Sequence, residues 1–445
     1  MAKRQRVASP PEEGQVAALN HDGEGIIRGE KVAFVPGALP GERIRFERWR
    51  FHRQHDEARL LEIFEPSQDR TSAQCAHFGV CGGCALQHLT SDAQLTLKQQ
   101  SLAETLQRIG RVTPERWLVP LAAESSWNYR RRARLGAKYV TKRGEVLVGF
   151  RERKAPYIAA LTGCPILAEP LDKLIQPLAS LIGSMESRSH IPQIEVAIGE
   201  SVDGSPDTML VFRHLQPLSI EDRERLAAFA STHSVEVLLQ SAGPDSIQPL
   251  AGEARLLRYH LPQQGLQFEF EPTDFVQINA AVNRLLITQA VELLAPRPES
   301  RVLDLFCGLG NFTLALAQQA GEVKGLEGDA GLVARAAHNA KLNSIENAHF
   351  GVANLFEPDS LAGHLAGVTH VLLDPPRAGA EPILAALGAS EVQRIVYVSC
   401  HPGTLARDVG ILCHEQGFQL QAAGVIDMFA HTNHVESIAL LERRP

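Results

Sequence analysis

Three groups of residues in the second half of this chain could do chemistry together. Cys400 stands in Ser399-Cys400-His401-Pro402-Gly403-Thr404, Asp374 opens Asp374-Pro375-Pro376-Arg377, and further upstream lies Asp304-Leu305-Phe306-Cys307-Gly308-Leu309-Gly310. An ionised thiol is a strong nucleophile. A carboxylate at a strand end sits in the crevice where open α/β sheets bind ligands. Glycines in a strand-to-helix turn let the backbone approach a ligand closely. A glycine turn, a strand ending in Asp-Pro-Pro and a strand ending in Cys together describe a nucleotide-cofactor site with a thiol beside it.

Around the glycine turn, Arg301–Phe306 reads as a buried strand and Cys307–Gly310 as the turn that opens a helix. The dinucleotide pattern would place a third glycine at position 313, where Thr313 stands. Glu327, at the end of the next strand, is placed to accept hydrogen bonds from ribose hydroxyls. Another Rossmann-like nucleotide binder would satisfy these motifs too; Asp374 narrows the choice. Pro375 and Pro376 have no N–H, which leaves their carbonyls free for a substrate.

Cys400 has a plain alternative as a buried structural cysteine. Its place at a strand end just before a helix favours a reactive thiolate, because a helix N-terminus lowers a thiol pKa. Cys307, inside the glycine turn, and Cys413, inside a helix, read as structural. A thiolate beside a methyl-donor site has a specific use. C5 of a uracil is a poor nucleophile; adding a thiolate at C6 makes C5 enolate-like, and a base must later remove the C5 proton. Glu436 in His434-Val435-Glu436 is the candidate base, although by spacing alone it reads as an exposed strand acid.

Seven cysteines occur, three of them in Cys75-x5-Cys81-Gly82-Gly83-Cys84. In a reducing compartment such a set suggests metal ligation or catalysis rather than disulfides. Cys164, followed by Pro165, is available as a fourth ligand. Zinc sites usually show two paired halves, and three grouped cysteines plus a remote Cys-Pro fit iron–sulfur ligation better. His77 and His88 keep zinc open.

The elements that must position these groups are legible in outline. A chain of 445 residues predicts two or three domains, and 44% hydrophobic content suits a globular protein. No run of about 18 uncharged apolar residues suggests a membrane span. The basic start Met1-Ala2-Lys3-Arg4 has no apolar segment after it, so the cytoplasm is expected. Residues 1–11 read as a disordered tail. Five short β-type segments over 12–66 predict a small OB-like barrel, with Arg43-Ile44-Arg45-Phe46 alternating basic and apolar faces. A helix is expected over Gln94–Ile109. Residues 67–270 read as a central α+β domain. From Asn128 to Lys154 it carries ten Lys/Arg against two acids, despite a net charge of −7 for the chain. Beyond 271, strands at 301–306, 322–327, 349–353, 369–374 and 394–399 alternate with helices, which predicts a parallel, doubly wound sheet with a last strand over 434–441.

These motifs, with Asp274-Phe275-Val276-Gln277-Ile278-Asn279, resemble the RNA uracil-C5 methyltransferases that use S-adenosylmethionine (SAM). The resemblance covers nearly the whole chain. Asp22-Gly23-Glu24-Gly25 resembles the signature of the TRAM barrel that some members add. The members with both a TRAM barrel and a four-cysteine cluster act on 23S ribosomal RNA. The resemblance implies a multidomain α/β protein: a TRAM barrel (12–66), a central domain with an iron–sulfur site (67–270) and a Rossmann-like SAM methyltransferase domain (271–445). It implies SAM contacts from Gln277, Phe306, Asn311, Glu327, Asn354 and Asp374, Cys400 as nucleophile and Glu436 as base. It also implies [4Fe-4S] ligation by Cys75, Cys81, Cys84 and Cys164. The partner expected is 23S rRNA, held by the barrel and the 128–154 stretch with Tyr129, Phe150 and Tyr157 for stacking, with no membrane and no obligate protein partner. Rival readings are the same chemistry on another RNA, an amino-methyltransferase that would not need Cys400, and a non-catalytic RNA-binding assembly factor. A radical SAM enzyme would need a CxxxCxxC run, which is absent.

Overall fold

The computed structural model describes residues 9–20, 22–201 and 203–444. The tail expected to be disordered lies outside the described residues through position 8. Contacts divide the chain into two compact units. One holds residues up to Leu97 with Phe150–Ala159 and Ala430–Asn433, and the other holds the rest.

In the first unit five strands, Glu12–Leu19, Glu24–Ile27, Val32–Pro36, Arg43–Phe51 and His55–Glu65, close into a barrel. Val16, Ile27, Val35, Ile44 and Phe46 fill it. The alternation at Arg43-Ile44-Arg45-Phe46 holds, with Ile44 and Phe46 buried and both arginines exposed. Those arginines are paired, however: Arg43 with Glu13 at 3.1 Å and Arg45 with Glu62 at 2.5 Å. Gly23 turns the chain at φ +71°, and a Cβ there would fall 2.9 Å from the Leu86 side chain. The cysteine loop belongs to this unit. Its turn is closed by Phe78 N–H to Cys75 O (3.0 Å) and Cys81 N–H to His77 O (2.9 Å).

The second unit contains a six-stranded sheet whose strands lie between Arg132 and Pro249, and an eight-stranded sheet that carries the site. A helix runs over Ile220–His233. A helix over Leu171–Ser184, with Pro177 inside it, was not foreseen. Its Leu171, Leu174, Ile175, Leu178, Leu181 and Ile182 nevertheless form one buried face. The helix expected at 94–109 runs Ser91–Thr105 and continues as a π-helical turn over Leu106–Gly110.

The large sheet orders its strands Ala348–Val352, Glu322–Glu327, Arg301–Leu305, His370–Leu373, Arg394–Ser399, Glu436–Arg443, Phe418–Ile426 and Arg116–Trp117. The first five are parallel. Chain order reverses between Arg301–Leu305 and His370–Leu373, so a crevice opens at their carboxyl ends. Glu436–Arg443 is antiparallel to its neighbour, pairing Ser399 with Ser437. The parallel reading thus holds for the five strands it rested on, and the last strand, expected over 434–441, joins them antiparallel. No helix of the described residues is long and apolar enough to cross a membrane.

Candidate active site

A cavity of about 500 Å³ opens at the crevice, a size suited to one nucleoside-type cofactor. Gln277, Phe306, Asn311, Glu327, Asn354, Asp374, Cys400 and Glu436 all line it. The eight candidates come from seven separate chain segments and meet at one place.

The glycine turn forms one wall. Phe306 (φ +65°), Gly308 (φ +54°) and Gly310 (φ +91°) take left-handed backbone conformations that bend the chain back from its strand. Gly308 N–H donates to Glu327 Oε2 at 3.1 Å, and Gly328 N–H donates to Glu327 Oε1 at 2.6 Å, which sets the Glu327 carboxylate at the rim. The following helix is short, Thr313–Ala317. Thr313 stands where a dinucleotide fold would have glycine because its hydroxyl donates to the fully buried Asp304 at 2.5 Å. Burial, followed by the nearby Asp374 and Glu327, pushes Asp304 up to about 7 even with that bond.

Asn311 is held from behind. Its Oδ1 accepts from Tyr259 Oη (2.9 Å) and Asn283 Nδ2 (3.3 Å), and its Nδ2 donates to Asn283 Oδ1 (2.9 Å). One Nδ2 hydrogen is left, so Asn311 can offer a ligand a donor only. Tyr259 and Asn283 carried no sequence signal, since one sits in a hairpin and the other in a helix. Nor did Phe356, whose ring packs 5.8 Å from that of Phe306. The loop bearing Gln277 is fixed by Arg132, which donates to the carbonyls of Thr273 and Asp274.

Cys400 and Glu436 meet through sheet register. Ser399 pairs with Ser437, so the next step along the antiparallel pair brings Cys400 opposite Glu436. Glu436 is 4% exposed and its Oε2 has no hydrogen-bond partner among the described residues. Burial, then the neighbouring Asp374, pushes it up to about 8, against a smaller lowering by Lys98. Burial also pushes Asp374 up to about 7. The Cys400 thiol is raised by burial, then by Glu436 and Asp374, and Arg377 offsets only part of this. The sequence reading of a thiol depressed by a helix N-terminus is therefore corrected. The helix does begin at Pro402, but burial and two carboxyl neighbours push the thiol up. His401 Nδ1 accepts the Thr404 N–H at 3.2 Å and caps that helix.

The candidate metal ligands are placed differently. Cys75, Cys81 and Cys84 share one loop of the first unit, and Cys164 is buried in the second. Burial raises the Cys81 thiol, the adjacent Cys75 adds to this, and Gly83 N–H donates to Cys81 Sγ at 3.4 Å. Among the described residues, no group of three or more His, Cys, Asp or Glu side chains converges as an ion site. The expected basic stretch is largely engaged internally: Arg131 with Glu200, Arg134 with Glu195, Arg143 with Glu145, and Arg153 and Lys154 with Glu24.

A parallel sheet with a carboxylate-lined nucleoside cavity at its switch point, and a thiol facing a buried carboxyl inside it, defines a group-transfer enzyme of the nucleoside-cofactor class. Comparison with known proteins sharpens this. Residues 209–355 and 364–444 match the model of the family described as tRNA (Uracil-5-)-methyltransferase. A relative from Methylococcus capsulatus, named 23S rRNA (uracil(1939)-C(5))-methyltransferase RlmD, is 48% identical over 99% of both chains. One of the same name from Xanthomonas axonopodis pv. citri is 46% identical over 99% of both. The crystal structure of Pyrococcus abyssi tRNA (uracil-54, C5)-methyltransferase with S-adenosyl-L-homocysteine superposes with a TM-score of 0.74. It is 25% identical and covers 97% of this chain and 100% of that one. The chain belongs to the tRNA (uracil-5-)-methyltransferase family.

Proposed function

We propose that this chain transfers a methyl group from SAM to C5 of a uridine in 23S rRNA, the one equivalent to the uridine 1939 in its relatives' names. The observation that carries the mechanism is the facing of Cys400 and Glu436 in the cavity that Asp374 and Glu327 also line. The cavity suits the cofactor: apolar walls from Phe306, Leu309 and Phe312 accept an adenine, and carboxylates at its polar points accept hydroxyl and ammonium donors. Gln277, Phe306, Asn311, Glu327, Asn354 and Asp374 would hold it. SAM, when bound, supplies an electrophilic methyl and a sulfonium charge that favours ionised carboxylates.

Cys400 acts as its thiolate. Its sulfur bonds to C6 of the uracil, and the C5–C6 π pair moves onto C5 and the adjacent carbonyl. C5 then takes the methyl. Glu436 removes the remaining C5 proton, that electron pair re-forms C5=C6, and the C6–S bond breaks to return the thiolate. A carboxylate whose proton is held up to about pH 8 is a strong acceptor for this step. Reaching C5 and C6 needs the base out of its stack, and the first-unit barrel would help hold the RNA.

The cluster proposal rests on the sequence. Cys75, Cys81, Cys84 and Cys164 would hold a [4Fe-4S] cluster; the neighbouring Cys75 and Cys81 and the N–H donor to Cys81 sulfur support it. Methyl transfer of this kind needs no redox step, so the cluster's role is structural or RNA-contacting. Anaerobically purified protein should carry about four iron and four sulfide per chain; stoichiometric zinc instead would overturn it.

The activity is tested by trapping. A 23S rRNA fragment carrying 5-fluorouridine, protein and SAM should yield a covalent adduct on a denaturing gel, because fluorine at C5 does not leave as a proton. A band with tRNA but none with rRNA would keep the chemistry and overturn the substrate. No band with either would overturn the covalent mechanism.

A further inference from the structure

We infer that Asp408 is a positioning residue that locks the Asp374 turn to the segment bearing Cys400, so that the cofactor wall and the nucleophile keep one fixed separation. The inference rests on the reading of Cys400 as nucleophile. Asp408 lies in the helix Pro402–His414, behind Cys400, and is fully buried. Its Oδ2 accepts the Tyr397 hydroxyl at 2.6 Å and the Ala380 N–H at 2.7 Å. Its Oδ1 accepts Arg407 Nε at 2.8 Å, and Arg407 Nη2 donates onward to Ala378 O at 2.9 Å.

One carboxylate thereby joins three segments. Tyr397 is on the strand that ends at Ser399, Asp408 is on the helix that follows Cys400, and Ala378 and Ala380 close the turn that begins at Asp374. The packing around it leaves no slack. Gly379 has φ +82°, and a Cβ there would fall 2.5 Å from Asp408 Oδ2 and 2.6 Å from Arg407 Nη2. Only glycine lets the turn press onto the carboxylate. Tyr397, Arg407, Asp408 and the closing residues Ala378–Ala380 do not line the cavity, whereas Asp374–Arg377 at the start of the turn do. The cluster therefore acts through Asp374 and Cys400 rather than on a ligand.

Asparagine at 408 would present an N–H₂ to one set of donors, so Asp408→Asn keeps size and breaks one side of the network. The measurement is the single-turnover rate of adduct formation on 5-fluorouridine RNA, at saturating SAM and RNA and below the thermal midpoint of each protein. Asp408→Asn should slow this rate on the order of 10- to 100-fold, the effect of a displacement near 1 Å in a reacting pair. Tyr397→Phe, which deletes one hydroxyl, should slow it less and in the same direction. A wild-type rate in folded Asp408→Asn, or a loss that saturating substrates restore, overturns the inference. If Asp408→Asn does not fold, Tyr397→Phe decides by the same criterion. Absence of adduct in the wild-type protein would strike the Cys400 reading instead, so the two failures are distinct.

Discussion

Glu436 faces Cys400 across the antiparallel pair and, after burial, is the largest influence holding that thiol above its ordinary value of 9.0. A thiol reacts as thiolate, so the resting protein should be sluggish toward alkylating agents at neutral pH. Removing the Glu436 charge makes ionisation of Cys400 easier. Iodoacetamide labelling of Cys400, followed by peptide mass spectrometry, should rise with pH to beyond 9, and the whole curve should move to lower pH in Glu436→Gln. An unmoved curve would mean that the two groups do not feel each other.

The two residues should fail at different steps. Cys400→Ala should lose methyl transfer altogether, since without the sulfur C5 never becomes nucleophilic. Glu436→Gln should still form the bond to C6 and transfer the methyl, then stall, so that an adduct with ordinary uridine RNA accumulates on a denaturing gel. Turnover by Cys400→Ala would favour an amino-methyltransferase.

Glu436 also gives stability a pH dependence whose sign is fixed. Its folded value of about 8 lies above its ordinary 4.5. The unfolded chain ionises it near 4.5, the folded chain only near 8, so its contribution to stability falls as pH rises through that window and is lowest above it. Glutamine escapes this cost. The thermal midpoint of Glu436→Gln minus that of wild type should therefore increase from pH 5 to pH 8, by the equivalent of several kcal/mol at most. A difference that is flat with pH would contradict the burial.

Lys98 is 1% exposed and donates to Asp427 Oδ1 at 2.6 Å and to Phe429 O at 3.0 Å. Asp427 follows Ile426, the register partner of Glu436. Its ammonium lowers Glu436 against burial and Asp374. Lys98→Met should move the acid limb of the pH–rate profile for adduct resolution to higher pH, and Lys98→Arg should largely restore it.

Thr313→Val should cost on the order of 1–3 kcal/mol of stability in urea unfolding, because Asp304 keeps its burial and loses its hydroxyl donor. The loss should shrink at acid pH, where Asp304 is neutral, since it is pushed up to about 7 in the folded protein.

Much of the architecture was legible because it is local. Alternation at Arg43-Ile44-Arg45-Phe46 has the two-residue period that a strand requires, and Ile44 and Phe46 are buried as it dictates. The strands Glu322–Glu327 and Arg394–Ser399 fall where apolar runs between helices put them. The helix at Leu171–Ser184 was not read from the sequence, and its buried face is revealed only by the segments packed against it. The basic run from Asn128 to Lys154 was legible as charge, but the acids that engage it, Glu24, Glu195 and Glu200, lie far off in the chain.

By itself the sequence determined which groups are available: a thiol after a strand, carboxyls at strand ends, a glycine turn and a cysteine loop. These follow from residue type and short-range spacing. Only the tertiary structure decided that Glu436 is buried rather than an exposed strand acid, that it faces Cys400, and that both stay largely protonated in the resting cavity. Register across a sheet and the loss of water around a carboxyl depend on which distant segments pack together, and no local pattern encodes either.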